Sequence, residues 1–330
     1  MEVLHPGIQS TLQDTGRTGY RSYGVGTSGA MDQFAHRVAN LLVANEADAA
    51  TIEVPGRTFC IRVDETVVMA ATGPVRVLLA GRQVPAWRTL LVRSGQQLEI
   101  FPAGSGMYAY LSVAGGWAAT EWLGSGATHL IAGQGGFNGS ALQKGDRLSL
   151  AEEGAELLKR FKASLSARDS YYDSWGFSRS LFPDYSVDTV RILRGGEWDL
   201  WPVSSLDLFQ QTDFRISSGM DRMGYRLTGP VLERRLPGSE MFSVAVTPGT
   251  LQVTPDGSTY LLMADAQTTG GYPRIGTVIA ADLPVCAQLE VNKTVRFRVV
   301  SWQESVEAWI RMENSLELLQ KKLRTKFSGY

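Results

Sequence analysis

Apolar positions along this chain gather into short runs rather than long ones, and most runs end at Gly or Pro. FCIRVDETVVMAA (59–71), VRVLLAG (75–81), LLVRSG (90–95), QLEIFPAG (97–104) and MYAYLSVAGG (107–116) form a first group. TVRILRGG (189–196), DFRISS (213–218), MFSVAVTPG (241–249), TLQVTPDG (250–257), STYLLMAD (258–265) and TVRFRVVSW (294–302) form a second. Val, Ile, Leu and Tyr in brief segments between turn residues predict β-strands joined by tight turns. Helical spacing is confined to two places. MDQFAHRVANLLVAN (31–45) sets Phe34, Val38, Leu41 and Leu42 on one face, with Asp32 at the positive N-terminal end. Residues 303–326 repeat apolar side chains at Val306, Trp309, Ile310, Leu316, Leu319 and Leu323 and are charged on the other face, which predicts a helix lying against a β domain or a partner.

The two strand groups look like copies. Thr-Gly-Pro-Val stands at 72–75 and again at 228–231. SGQQLEIFPAG (94–104) matches PGTLQVTPDG (248–257), YLSVAGGW (110–117) matches LLMADAQTTGGY (261–272), and LQKGDRLSL (142–150) matches LEVNKTVRFRV (289–299). Four matches in one order at nearly one spacing point to tandem duplication. The expected organisation is an N-terminal segment with a first β-barrel over 1–150, a polar linker over 151–187 that includes SARDSYYDSWG, a second barrel over 188–302 and a C-terminal helix over 303–330. Such copies would be related by a pseudo-twofold axis, and binding sites often sit between domains of this kind.

Composition narrows the function classes. Formal charge is −1, so nothing favours nucleic acid or an anionic membrane, and a hydrophobic fraction of 44% with a mean hydropathy of −0.08 fits a globular chain. Cys60 and Cys286 are too few for a disulfide framework or a zinc set and read as buried thiols. The start, MEVLHPGIQSTLQD, has neither a basic nor an apolar leader segment, and no apolar run is long enough to span a bilayer, so a cytoplasmic location is expected.

Gly24-Val-Gly-Thr-Ser-Gly29 spells a dinucleotide fingerprint, but DTGRTGYRSY before it offers no apolar strand, so the context rejects that reading. Ser28 or Asp32 capping the helix, or backbone N–H groups facing an anion, remain open for this loop. His5, His36 and His129 stand apart, which leaves no histidine metal site, and phosphate-loop and nucleophile-elbow motifs are missing. Polar groups concentrate in TLQDTGRTGYRSYGVGTSGAMD (11–32), SGMDRMGYRLTGP (218–230) and ADAQTTGGYPRIG (264–276). Asp265, Gln267, Thr268, Thr269, Gly270, Gly271 and Tyr272 follow directly on an apolar strand, and the alternatives there are a binding loop or a self-satisfied turn. Arg17, Arg222 and Arg226 lie beside glycines and are candidates for bidentate contact with a carboxylate, surface ion pairing being the alternative.

TLQDTGRTGYRSYGVGTSGAMDQFAHRVANLLVAN, YLSVAGGW, LGSGAT, GDRLSL, DRMGYRLTGP and ADAQTTGGYPRIGTVIAADLP together resemble the KipA family, also called allophanate hydrolase subunit 2 or the biotin-dependent carboxyltransferase family, over about residues 3–302. The resemblance implies a mainly β fold of two tandem cyclophilin-like β-barrels and a KipI-like partner protein. It implies one of three roles. The first is the C component of a bacterial 5-oxoprolinase, which with a KipI-like B component and a LamB/YcsF-like A component uses ATP to open 5-oxo-L-proline to glutamate. The second is a carboxyltransferase component of the urea amidolyase type that uses carboxybiotin, and the third is a regulator that binds a KipI-like kinase inhibitor. One fold hosts all three, so the fold does not choose among them. The chain carries neither a biotin-carrier Met-Lys-Met nor an ATP-binding region, which favours the 5-oxoprolinase role, with the chain inactive alone.

Ring opening needs an activated lactam oxygen, so under that resemblance Arg17, Arg222 and Arg226 are expected to hold phosphoryl oxygens and Asp14 or Asp265 to orient water. Gln252 and Gln267 are expected to hold the amide, with Gln13, Asp32, Thr268, Thr269, Gly270, Gly271 and Tyr272 completing the substrate site. No metal is expected. The chain departs from the family pattern at Gly124-Ser125-Gly126-Ala127-Thr128, where an arginine and a serine are expected at Gly126 and Ala127. It departs again at Ser140, where an arginine is expected, and at Val244, where a glutamate is.

Overall fold

A computed structural model describes residues 1–104, 106–151, 158–159, 172–178, 181–235 and 241–328. Most of the expected 151–187 linker lies outside the described residues. The chain divides into two compact units: Met1–Arg17 with Ser28–Phe182 and Asn314–Tyr330, and Thr18–Thr27 with Pro183–Glu313.

In the first unit the strands are β1 (Glu2–His5), β2 (Thr11–Gln13), β3 (Thr51–Pro55), β4 (Phe59–Arg62), β5 (Val67–Thr72), β6 (Val75–Leu79), β7 (Arg82–Val84), β8 (Thr89–Val92), β9 (Gln97–Pro102) and β10 (Tyr108–Val113). They form two five-stranded sheets, ordered β1-β4-β9-β6-β7 and β2-β3-β10-β5-β8. The run 59–71 is two strands in different sheets, because the polar Asp64-Glu65 turn interrupts it. Val3, Phe59, Ile61, Val77 and Ile100 from one sheet and Leu12, Ile52, Met69, Leu90 and Leu111 from the other share a single core. Helix α1 (Gln33–Leu41) lies against β10, β5 and β3. Asp32 caps it by accepting the Ala35 N–H at 2.9 Å. Ala44, in the left-handed region at φ 59°, stands just past the helix end.

The second unit holds β11 (Thr189–Arg194), helix α2 (Val203–Gln211), β12 (Phe214–Ile216), β13 (Gly224–Thr228), β14 (Val244–Ala245), β15 (Thr250–Val253), β16 (Thr259–Leu262), β17 (Thr269–Gly270), β18 (Arg274–Val278), helix α3 (Leu283–Ala287) and β19 (Thr294–Val299). Seven of these strands close a barrel in the order β11-β18-β15-β16-β13-β12-β19, and β14 pairs with β17 as a separate ribbon. Phe209, Phe214 and Phe297 pack together in its interior, with Phe209 and Phe297 stacked at 5.4 Å. Helix α4 (Trp302–Ser328) ends the chain; within the first unit Leu316, Leu319, Leu323 and Phe327 are its buried face.

Traces of duplication persist in the strand pairings. Thr-Gly-Pro-Val begins at the last residue of β5 and again at the last residue of β13, and these strands pair antiparallel with β10 and β16, which carry the third match. Gly95 and Gly249 both adopt left-handed backbone, φ 80° and 89°, shortly before β9 and β15.

Candidate functional site

The stretch that follows β2 is pinned by a residue more than a hundred positions away. Asp14 accepts hydrogen bonds from the Gly16 N–H at 2.7 Å, the Ser125 hydroxyl at 2.8 and 2.9 Å, and the Gly126 N–H at 2.6 Å. A buried carboxylate that accepts several N–H and O–H groups is strongly held in place. Arg17, fully buried, donates to the Ala127 carbonyl and lays its guanidinium over the Trp122 ring at 4.8 Å. Gln13 completes the grip on this segment by donating from its side-chain nitrogen to the Thr128 carbonyl at 3.1 Å and to Thr11 Oγ1 at 2.9 Å. Three candidates from one short stretch therefore meet Ser125–Thr128, the place where the chain departs from the family pattern. Small residues suit that contact: a Cβ at Gly126 would stand 3.0 Å from the Ala119 Cβ.

The following loop is equally constrained. The Ala30 N–H donates to the Asp14 carbonyl at 2.8 Å, and Gly29, at φ 83°, presses so closely that a Cβ there would stand 2.6 Å from the Gly16 nitrogen. Gly29→Ala is therefore expected to destabilise the first unit by roughly 1–3 kcal/mol, read as a shift in the urea unfolding midpoint. An unchanged midpoint would contradict this packing. Asp14→Asn places an N–H where the Gly126 or Gly16 N–H needs an acceptor, and a loss of about 1–3 kcal/mol is expected by the same measurement.

Beneath α1 lies a buried polar network that sequence reasoning missed. Tyr110 donates to Glu53 at 2.8 Å; Glu53 also accepts the Met31 N–H at 2.8 Å, and the Asp32 N–H donates to the Tyr110 oxygen at 2.7 Å. Burial first, and then the Glu53 charge, hold the Tyr110 phenol well above its usual range. Asp32 thus serves as helix cap and loop anchor. His36 is fully buried and meets Thr51 Oγ1 at 2.8 Å; burial pushes its pKa down to about 3, so it is neutral at ordinary pH. The alternation of Glu53 with Ile52 and Val54 was the available signal for an inward acid, but nothing local names its partner.

In the second unit Arg222 and Asp265 form a bidentate ion pair, Nε to Oδ2 at 2.7 Å and Nη2 to Oδ1 at 3.1 Å, both side chains buried. Arg226 is not part of that arrangement. It sits on β13 opposite Tyr260 with its side chain exposed, because alternation along the strand turns Tyr225 and Leu227 into the barrel. Gln252 on β15 is buried and donates to the Tyr272 carbonyl at 3.1 Å, and the backbone of Gly270 lies against its amide. Thr268 is buried and its carbonyl accepts the Val246 N–H at 3.0 Å, whereas Gln267, Thr269 and Tyr272 are exposed and Gly271 is half-buried.

Two further groups fix this loop without having been singled out in the sequence. Glu197 takes Arg274 by three bonds, from its N–H at 3.0 Å, Nε at 2.8 Å and Nη2 at 2.7 Å, while Arg274 Nη1 reaches the Ala245 carbonyl at 2.9 Å. Those bonds hold the Glu197 carboxyl below the usual range. Arg21 donates to the Val246 carbonyl and to Thr27 Oγ1, tying residues 18–27 to the β14–β17 ribbon. Cys60 and Cys286 are buried, and burial raises both thiols, Cys60 to about 11. Among the described residues no helix is long and apolar enough to cross a membrane.

A mainly β chain with a closed seven-stranded barrel coincides with a known family. Residues 23–299 match the family model described as carboxyltransferase domain, subdomain A and B, and the chain belongs to that family. It is 35% identical to the 5-oxoprolinase C component of Haemophilus influenzae over 97% of both chains, and 34% identical to the 5-oxoprolinase C component of Escherichia coli K12 over 99% of both. Among solved structures, the urea carboxylase of Kluyveromyces lactis superposes with a TM-score of 0.86 at 26% identity, over 96% of this chain and 29% of that one.

Proposed function

We propose that this chain is the C component of an ATP-dependent 5-oxoprolinase that opens 5-oxo-L-proline to L-glutamate together with a KipI-like and a LamB/YcsF-like protein. What carries the reading is end-to-end identity of 34–35% with two relatives that bear the name of the 5-oxoprolinase C component. In the reaction, ATP phosphorylates the lactam oxygen and departs as ADP, and a first water adds to the activated carbon. The C–N bond then breaks to give the free amine and a γ-glutamyl phosphate, and a second water hydrolyses that acyl phosphate to the carboxylate of glutamate and phosphate. The complex consumes the ATP. Arg17 and Arg222 are committed to Ala127 and Asp265, so they shape the loops around them, and phosphoryl oxygens fall to other groups of the complex.

Likeness to a urea carboxylase favours a second reading, carboxyl transfer from carboxybiotin to an amide nitrogen. Substrate separates the two. Mixing this chain with both partner proteins, ATP and 5-oxoproline is expected to yield glutamate above the level reached without the chain. Glutamate no higher than the two partners give without it, with carboxylation of urea by a biotin-bearing partner instead, would overturn the proposal.

A further inference from the structure

Arg226 is the candidate arginine that no buried contact absorbs, and its strand register sets it in a row of like charges. Side chains alternate along β12, β13 and β19 of the second unit. Phe214, Tyr225, Leu227 and Phe297 fill the barrel, and Arg215, Arg226, Arg296 and Arg298 stand outside it, all four exposed. Arg215 lies opposite Thr228 on one neighbouring strand and Thr294 on the other. Arg226 precedes Thr228 by two residues and Arg296 follows Thr294 by two, so both are diagonal neighbours of Arg215, roughly 7–8 Å from it. Arg298 continues the row along β19. Two carboxylates answer these four cations among the described residues: Asp213 bonds Arg296 at 2.7 and 2.9 Å, and Glu304 stands 3.7 Å from Arg298. No ion pair reaches Arg215 or Arg226 among the described residues. The acid of the turn between β12 and β13, Asp221, accepts the Met223 and Gly224 N–H groups at 2.8 and 3.1 Å.

We infer that this outward row of arginines docks a carboxylate-bearing face of another protein. Resting on the reading above that the chain works within a complex, that protein is one of the two that complete it. Adjacent like charges at Arg215 and Arg226 repel each other until an acid bridges them. A guanidinium presents a planar fork that meets a carboxylate through two bonds, and protein interfaces favour arginine over lysine; all four cations of the row are arginines. Ser217 and Thr228, whose hydroxyls lie 2.9 Å apart on the same face, add donors between them. Charge and size select the occupant. The whole chain carries −1, so the excess is local to this face. Three neighbouring strands span roughly 10 Å, a footprint for two or three carboxylates and too short for a run of phosphates.

The test is binding of the full-length chain to the KipI-like and to the LamB/YcsF-like protein, each titrated separately by calorimetry in about 50 mM and about 300 mM salt. Wild type is expected to bind one of them, and less tightly at the higher salt. Arg215→Glu with Arg226→Glu is expected to weaken that binding at least about tenfold and to flatten its salt dependence. Lys144→Glu, which reverses an exposed cation of the first unit, is expected to leave it unchanged. Arg215→Gln with Arg226→Gln, expected to lose affinity several-fold, supplies a second reading should the double reversal fail to fold. A double reversal that binds as wild type does overturns the inference, and so does a wild type that binds neither protein. Duplex DNA binding, or a dimer of this chain, that disappears on reversal while protein binding persists would assign the row to a nucleic acid or a second copy and overturn it as well. Binding that collapses on reversal, without any glutamate in the ATP assay, would sink the 5-oxoprolinase reading and leave the docking row standing. Glutamate produced with binding untouched by the reversal does the opposite.

Discussion

Arg222→Ala is expected to cost the barrel roughly 3–5 kcal/mol, the largest effect of any single change described above. The reason is asymmetric. Arg222 and Asp265 are both buried and bonded through two atoms each, so removing the guanidinium strands a carboxylate in a low-dielectric site. Asp265→Ala should cost a similar amount for the mirror reason. The paired replacement Arg222→Met with Asp265→Leu is expected to be milder than either single change, since neither charge of the pair is then left buried without the other. Urea unfolding of the four proteins gives the answer. Single changes that each cost under about 1 kcal/mol would mean the pair is solvated in solution and exerts little hold on the loop that carries Thr268 to Tyr272.

Acid should unfold the first unit earlier than carboxylate chemistry alone would suggest. His36 titrates near its ordinary value of 6.5 when unfolded, but burial and then the Arg37 charge lower it to about 3 in the folded unit. A folded-state value below the unfolded one means that the unfolded chain binds the extra proton first. The histidine therefore leaves stability untouched above pH 6.5 and erodes it steadily as pH falls from 6.5 toward 3. At about 1.36 kcal/mol per unit the total is on the order of 5 kcal/mol. The neutral ring keeps its contact with the fold through Nδ1, which meets Thr51 Oγ1 at 2.8 Å, with the Gln13 carbonyl 3.4 Å beyond that hydroxyl. His36→Gln is expected to be less stable at about pH 7.5 yet flatter between roughly pH 6.5 and 4. Parallel stability curves for the two proteins across that window would show that His36 does not govern the acid response.

Much of the fold was legible because burial imposes a period on the sequence. The strands at 75–81, 97–104, 107–116 and 189–196 stand where short apolar runs end at glycine, and α1 lies within the 31–45 periodicity with Asp32 as its cap. Strands β13 and β18 were hidden in stretches read as polar loops. GYRLT turns only Tyr225 and Leu227 inward, and a two-residue alternation flanked by arginine and glycine is a weak signal. The first copy, expected as a barrel, takes the form of two sheets sharing a core, a distinction set by which strands pair and not by any local pattern. Helix α4 matched its expected span, but Trp309 and Ile310, assigned to its apolar face, are exposed.

The site was legible in parts for the same reason. Asp14, Arg17 and Gln13 stood out as a dense polar stretch, yet their partners Ser125, Gly126, Ala127 and Thr128 lie 110 to 115 residues on. Sequence shows the hands and not what they hold. Arg226 resembled Arg222 in its glycine-flanked setting, and only the strand register separates an outward side chain from a buried ion pair. Glu197 lay in no motif, and Arg274 sat inside the 264–276 stretch without standing out from it; their three-bond pairing exists because the residues after β11 come to rest against the start of β18.

Titrating this chain into fixed amounts of the KipI-like and LamB/YcsF-like proteins, with ATP and 5-oxoproline present, tests the central claim most directly. Glutamate and ADP should both rise from the level the two partners give alone and level off together as the chain saturates them. A flat glutamate trace across the whole titration, with the chain folded and its partners present, would contradict the account.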